Sequence, residues 1–79
     1  MAQTEQNSMS TFDLSSGVTF REIEVLQLLS DGDSSKMIAG KLHISETTAI
    51  THRKNLIKKL NVRNTAHLIK VALLSNIIV

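Results

Sequence analysis

Apolar residues recur at steps of three and four along most of the chain, and this spacing predicts amphipathic α-helices rather than strands. The first predicted helix begins behind Thr19 and Glu22, a capping box in which each side chain can bond the other residue's backbone N–H. It continues to Ser30, and Gly32 supplies a left-handed stop. A second, shorter helix is predicted over residues 36–42, behind a serine that can cap it.

The third predicted helix is the stretch SETTAITHRKNLIKKL at residues 45–60, in which Ser45 is the N-cap. Only the short connection His43-Ile44 separates it from the second helix. Two helices joined this tightly, the second cationic on its outer face, are typical of a helix-turn-helix DNA reader. The predicted buried stripe comprises Ala49, His52, Leu56 and Leu60, and the outer face comprises Thr47, Thr51, Lys54 and Lys58, with Ile50 beside them.

The fourth predicted helix runs from about residue 65 to residue 75 and is apolar nearly all round. One apolar stripe can face the domain core, whereas the surplus needs a second partner. Self-association is the preferred interpretation, with Leu68, Val71 and Leu74 as the predicted dimer interface. Contact with another domain of a longer protein is the alternative.

The length limits the chain to one small domain, and the four predicted helices make it all-α. Residues 1–17 are rich in Ser, Thr, Gln and Asn, lack periodicity and end at a glycine, which predicts a disordered tail or an interdomain linker. The folded domain is expected over residues 18–79. A chain of 79 residues buries only roughly 60% of its surface, so a partner subunit or a larger parent protein would add stability.

The net charge of +2 hides an asymmetry between the two parts of the chain. Residues 1–46 carry three basic and seven acidic side chains, which gives 3 − 7 = −4. Residues 47–79 carry six basic side chains and no acid, which gives +6. A one-sided cationic half is expected of a phosphate-binding surface. A lysine face that serves only solvation is an equally good interpretation of the charge alone.

Several classes of function find no residues to support them. The chain has no cysteine, which excludes a disulfide framework, a zinc finger and a thiol nucleophile. Its three histidines are not spaced as a helical metal pair, and no glycine-rich phosphate loop or paired carboxylates appear. We therefore predict no enzyme activity, no catalytic residue, no metal and no cofactor. No apolar run reaches the roughly 18 residues that span a bilayer and no signal peptide is present, so a cytoplasmic location without membrane contact is expected.

A set of positions spread over all four predicted helices agrees in register with one known family pattern. It begins with the continuous run VTFREIEVL at residues 18–26. It continues with Gly32, Ser34, Lys36, Ile38, Ala39, Leu42, Ile44, Ser45, Thr48, His52, Asn55, Lys59, Leu60, Val62, Asn64 and Ala72. On these residues, from about Val18 to Ile78, the chain resembles the LuxR-type four-helix DNA-binding domain.

The resemblance implies sequence-specific binding of double-stranded DNA by a bacterial transcription regulator. In domains of this type the third helix enters the major groove and the fourth pairs two subunits, so a homodimer is expected. They usually form the C-terminal output half of a response regulator or a ligand-sensing regulator, which implies an N-terminal receiver or sensor domain as a partner. The alternative is a protein-interaction or dimerisation module that does not bind DNA directly.

The family's DNA contacts carry over to particular positions of this chain. Its base-reading places fall on Ile50, Thr51 and Lys54. Because Ile50 stands where a lysine or arginine is common, apolar contact with a thymine methyl group is expected there in place of guanine recognition. Ala49 and Thr65 also depart from the family's usual valine and arginine. The predicted phosphate-binding residues are Lys36, Thr47, Thr48, Arg53, Lys58 and Lys59.

Overall fold

The computed structural model describes residues 17–78, which form four α-helices joined by short connections. The helices are α1 (Phe20–Ser30), α2 (Ser35–Leu42), α3 (Glu46–Lys59) and α4 (Thr65–Leu74). No strand occurs among the described residues, so the all-α prediction is confirmed, and each predicted helix matches an observed one to within one residue at either end. Residues 1–16 and 79 lie outside this part, and the tail or linker predicted for residues 1–17 stays a prediction.

Each helix begins behind a side chain that bonds its first turn. The capping residue accepts a hydrogen bond from the backbone N–H three residues further on, which satisfies one of the donors that a helix start leaves free. In α1 the bond is reciprocal, as predicted: Thr19 Oγ1 accepts from the Glu22 N–H at 3.1 Å, and Glu22 Oε1 accepts from the Thr19 N–H at 3.0 Å. The four capping residues are Thr19, Ser34, Ser45 and Asn64.

All four helices also end in the same way, at a residue in the left-handed conformation. The N–H of the residue after it donates to the carbonyl five residues earlier, which is the bond of a Schellman motif. Gly32, with φ of 93°, is the predicted stop of α1. The other stops are His43, Asn61 and Asn76, with φ of 59°, 55° and 60°. The closing bonds run from Asp33 to Leu28, Ile44 to Ala39, Val62 to Ile57 and Ile77 to Ala72, at 3.1, 3.0, 3.1 and 2.9 Å.

Apolar side chains from all four helices form one core, with α3 at its centre. α3 packs against each of the other three helices, and most extensively against α2. Val18 and Ile78 add to the same core from the two ends of the described chain. Burying a leucine or isoleucine of this kind stabilises the fold by about 2 kcal/mol. Every helix contributes at least one large, fully buried side chain: Leu26 and Val25 from α1, Ile38 from α2, Leu56 from α3 and Leu68 from α4.

The position of Leu68 corrects the predicted dimer interface. Its exposed fraction is 0%, and it packs in the core together with Ala72 of the same helix. A side chain without accessible surface offers nothing to a second subunit, so Leu68 belongs to the fold of the single chain. The sequence did not distinguish the two apolar sides of α4, because both carry leucines at helical spacing.

Candidate nucleic-acid interface

The chain passes from α2 to α3 through only His43, Ile44 and Ser45. His43 ends α2 in the left-handed conformation, and Ser45 caps α3. Between them, Ile44 is half-buried and packs against the core, which fixes the angle of the connection. Two helices that pack together and are joined by a tight turn with one apolar residue are the arrangement of a helix-turn-helix unit.

α3 presents two different sides, as the sequence predicts. Its inner side is anchored by Ala49 and Leu56, which are 1% and 0% exposed, while His52 and Leu60 are half-buried. Residues of the outer side extend into solvent along most of the length of the helix. The exposed residues there are Thr47, Thr51, Lys54 and Lys58.

Three lysine ammonium groups of α2 and α3 have no partner among residues 17–78. Lys54 and Lys58 lie one helical turn apart on α3, and Lys36 lies in the first turn of α2. All three are exposed, and none forms a hydrogen bond or ion pair with another described residue. Glu46 is the only acid in α3. The outer side of α3 therefore carries positive charge that is available to an external anion.

Hydroxyl groups gather at the start of α3, the helix that also carries Lys54 and Lys58. Ser45 Oγ accepts from the Thr48 N–H at 3.0 Å, and its own hydroxyl donates to Thr48 Oγ1 at 2.8 Å. Thr47 and Thr48 are both exposed. The helix N-terminus also carries a partial positive charge. Hydroxyl donors placed here suit contact with phosphate oxygens, which is the role predicted for both threonines.

Ile50 lies beside the exposed residues of α3 and is not part of the core. It is half-buried, yet it is absent from the core and from the partly buried residues that pack against the core. Ile57, two turns further along the same side of α3, does pack against the core. Of the three predicted base-reading residues, Thr51 and Lys54 are exposed and Ile50 borders them.

Lys59 has a different role from the predicted one. Its ammonium donates to Glu22 Oε1 at 2.8 Å, to Glu22 Oε2 at 3.0 Å and to the carbonyl of Gly17 at 2.8 Å. A lysine has three N–H donors, so this set uses all of them. We therefore correct Lys59 from a phosphate ligand to an internal ion pair that joins the end of α3 to the start of α1.

Arg53 makes a contact within the chain in addition to its predicted role as a phosphate ligand. The residue is half-buried, and its Nη1 donates to Thr65 Oγ1 at 3.3 Å, which links α3 to the first turn of α4. A guanidinium carries further N–H groups, so this single bond does not use up the side chain. Phosphate contact by Arg53 stays a prediction, whereas its bond to α4 is a structural feature that the sequence did not indicate.

The C-terminal half of α4 exposes apolar surface. Leu74 is 74% exposed and Leu73 is 46% exposed, while Val71 is half-buried but not packed against the core. Val71 and Leu74 are therefore accessible, as a dimer interface requires, and Leu73 is a third accessible residue that the predicted interface did not include. No helix among residues 17–78 is long and apolar enough to cross a membrane.

Four helices with a tight α2–α3 turn and a cationic outer side on α3 define the class of helix-turn-helix DNA-binding domains. The family model for bacterial regulatory proteins of the luxR family matches residues 16–72. This chain belongs to the luxR family of bacterial regulatory proteins, which are DNA-binding transcription regulators and not enzymes. The LuxR-type assignment and the prediction of DNA-binding transcription regulation are thereby confirmed.

Similar proteins come from several bacteria. The uncharacterized response regulatory protein YgeK of Escherichia coli (strain K12) is 45% identical over 64 residues, which is 81% of this chain and 44% of that protein. The transcriptional regulatory protein MctR of Rhizobium johnstonii is 52% identical over 56 residues, 71% of this chain and 26% of that protein. The nitrate/nitrite response regulator protein NarP of Escherichia coli (strain K12) is 51% identical over 47 residues, 60% of this chain and 22% of that protein. The chain thus spans less than half the length of these relatives.

Proposed function

We propose that this domain binds specific sites in double-stranded DNA, with α3 in the major groove and Ile50, Thr51 and Lys54 at the base edges. The observation that carries the proposal is the exposed outer side of α3, where Lys54 and Lys58 have no partner among the described residues. In a helix-turn-helix protein the N-terminal residues of the second helix contact bases, and the first helix crosses the backbone.

The phosphate backbone is contacted by a set that surrounds the base-reading residues. Exposed ammonium and hydroxyl groups at the start of α2, at the start of α3 and near its end support this assignment, as do the remaining N–H groups of the half-buried Arg53, because such groups position a protein on DNA without reading its sequence. Lys59 is left out, since Glu22 and Gly17 occupy its donors. The proposed phosphate-binding residues are Lys36, Thr47, Thr48, Arg53 and Lys58.

Two copies bind together through α4. The support is the accessible apolar surface of Val71, Leu73 and Leu74, which a single chain leaves in contact with water. A two-fold dimer of this kind places two half-sites about one helical turn of DNA, roughly 10 bp, apart. Inverted half-sites with this spacing would appear in the DNA that the protein selects.

In its full-length form the protein is a response regulator whose N-terminal receiver domain controls this output domain in the cytoplasm. The relatives YgeK and NarP are named as response regulators, and the chain corresponds to 44% and 22% of their lengths. A ligand-sensing domain in place of the receiver is the other arrangement in which such output domains occur.

The proposal is tested by selecting bound sequences from a random DNA pool and then titrating the selected sequence in a mobility-shift assay. The selected site should bind far more tightly than random DNA. With about three phosphates neutralised per subunit, and so about six per dimer, the affinity of the dimer should fall by about three orders of magnitude between roughly 50 and 200 mM salt. No enrichment from the pool, together with a shallow salt dependence, would instead support the protein-interaction module without direct DNA binding.

A further inference from the structure

We infer that Ile50 reads the C5-methyl group of a pyrimidine in the major groove, so that each preferred half-site carries a thymine opposite this side chain. The inference deepens the proposed function, because it assigns one chemical group of the DNA to one residue of the protein. It also predicts that 5-methylcytosine, which presents the same methyl group, is accepted better than cytosine at that position.

The packing around Ile50 supplies the first argument. Ile50 makes no part of the core, although it is one of the larger apolar side chains of α3. Ile57 occupies the same side of the helix two turns later and packs against the core. The N-terminal half of this side therefore carries a half-buried apolar side chain that is not packed against the core.

The neighbours of Ile50 supply the second argument. At about 100° per residue, Thr47, Ile50 and Lys54 fall within roughly 60° of one another around α3. Thr47 and Lys54 are both exposed. Ile50 is the fifth residue of a helix that starts at Glu46, and the first turns of a recognition helix are the ones that contact base edges. Ile50 therefore lies within the surface proposed to face the bases.

The chemistry of the major groove supplies the third argument. An isoleucine side chain has no hydrogen-bond donor or acceptor, so it cannot distinguish bases by their polar edges. The one apolar feature that the groove presents is the thymine C5-methyl group. A cytosine there would place its N4 amino group, and a guanine its O6 and N7, near an apolar side chain that cannot satisfy them.

Uracil substitution isolates this contact. In the site selected by the wild-type 79-residue chain, each thymidine is replaced in turn by deoxyuridine, which removes the methyl group and keeps every base-pairing group. Fluorescence anisotropy then gives the Kd of each DNA. We expect one position per half-site at which the wild type binds about fourfold more weakly, the effect of one buried methyl group. Ile50→Ala should bind the thymidine and deoxyuridine forms equally well.

Thr51→Ser is the matched control, because it removes a different methyl group, on the residue next to Ile50 in the sequence. Thr51→Ser should keep the fourfold preference for thymidine. A preference that survives in Ile50→Ala and disappears in Thr51→Ser would overturn the assignment to Ile50, and so would a wild type that is indifferent to uracil at every position.

Cytosine methylation gives an independent readout of the same contact. At the sensitive position, a site with 5-methylcytosine should bind the wild type about fourfold more tightly than the site with cytosine, and Ile50→Ala should not distinguish the two. Equal binding of both by the wild type would count against the inference. Failure to select any site would contradict the proposed function instead, so the two failures are distinguishable.

Discussion

Lys54 and Lys58 lie one turn apart on the same exposed side of α3, yet the proposed function gives them different tasks. Lys54 is within the base-reading surface, so Lys54→Ala should change which sequences a random pool yields. In the proposed complex Lys58 contacts only phosphate, so Lys58→Ala should weaken binding to all sequences alike and reduce the slope of log affinity against log salt by about 1 per subunit. A Lys58→Ala protein that selects a new sequence would contradict this division, as would a Lys54→Ala protein with unchanged preference.

Gly40 offers a test of residue conformation that is independent of DNA. It lies inside α2, and a Cβ atom added there meets nothing within 4 Å. Gly40→Ala should therefore raise the free energy of unfolding by about 1 kcal/mol, because alanine restricts the unfolded chain and favours the helix. Urea denaturation monitored by circular dichroism measures the change.

Gly32→Ala is the matched control for that experiment. A Cβ atom there also meets nothing within 4 Å, but φ is 93°, a conformation in which a side chain is strained. The substitution should cost about 1 kcal/mol. If both alanine variants shifted stability in the same direction, backbone conformation would not be the deciding factor.

Single residues whose roles depend on near neighbours in sequence are the ones that could be predicted. Thr19, Glu22 and Ser45 act within three residues of themselves, so their capping roles follow from the local sequence. The partners of Lys59 lie 37 and 42 positions away, and nothing local indicates them. Nor does the local sequence indicate that His52 Nδ1 is buried without a hydrogen-bond partner among the described residues.

At the scale of the helices, the Glu22–Lys59 ion pair holds the start of α1 against the end of α3. The Glu22 side chain is 4% exposed and that of Lys59 is 31% exposed. Lys59→Met would leave a buried carboxylate without its cation, so we expect a loss of stability on the order of 2 kcal/mol, less than for a fully buried pair. Thermal denaturation would show it as a lower Tm.

The double variant Glu22→Gln/Lys59→Met separates the ion pair from other effects. Glutamine can still accept the Thr19 N–H, and no charge remains buried, so the double variant should be more stable than Lys59→Met alone. Its DNA affinity should keep the wild-type salt slope, because Lys59 neutralises no phosphate in the proposed complex. A slope reduced by about 1 per subunit would return Lys59 to the phosphate-binding set.

The four helices themselves could be predicted closely, because the local sequence contains a capping residue at each start and helical apolar spacing up to each end. Thr19, Ser34, Ser45 and Asn64 mark the starts. How the helices pack was harder to predict for α4 than for α3. α3 has one apolar side and one polar side, so its buried side could be predicted. α4 is apolar on two sides, and contacts with the other helices determine which of the two is buried.

At the scale of the whole molecule, the exposed apolar end of α4 should determine the oligomeric state. Leu74→Glu places a charge in the proposed interface, and sedimentation equilibrium should then show only monomers at concentrations where the wild type forms dimers. Phe20→Glu is the matched control, since Phe20 is 77% exposed and Leu74 is 74% exposed. Dimers lost in Phe20→Glu and kept in Leu74→Glu would place the interface on α1 instead.

For the whole molecule, the DNA-binding class could be predicted from the sequence, whereas the composition of the DNA-binding surface needed the structure. The charge asymmetry alone left a phosphate-binding face and a solvated face equally open. The agreement of residue positions with the family pattern across four helices favoured a DNA-binding domain of the luxR family, and the family model confirms this assignment. The structure shows that Lys59 is not part of the proposed phosphate-binding surface, because it pairs with Glu22, and that Leu68 is not part of the exposed apolar surface, because it is buried in the core.

The uniform helix ends also have a consequence for how fast the chain folds. Every helix carries its own start and stop within a few residues, so little loop-closure entropy is spent before local structure forms. The chain also contains no proline, so no slow cis–trans isomerisation step is available to delay it. Refolding from urea in a rapid-mixing or temperature-jump experiment should follow a single exponential within microseconds to milliseconds, with no phase lasting seconds.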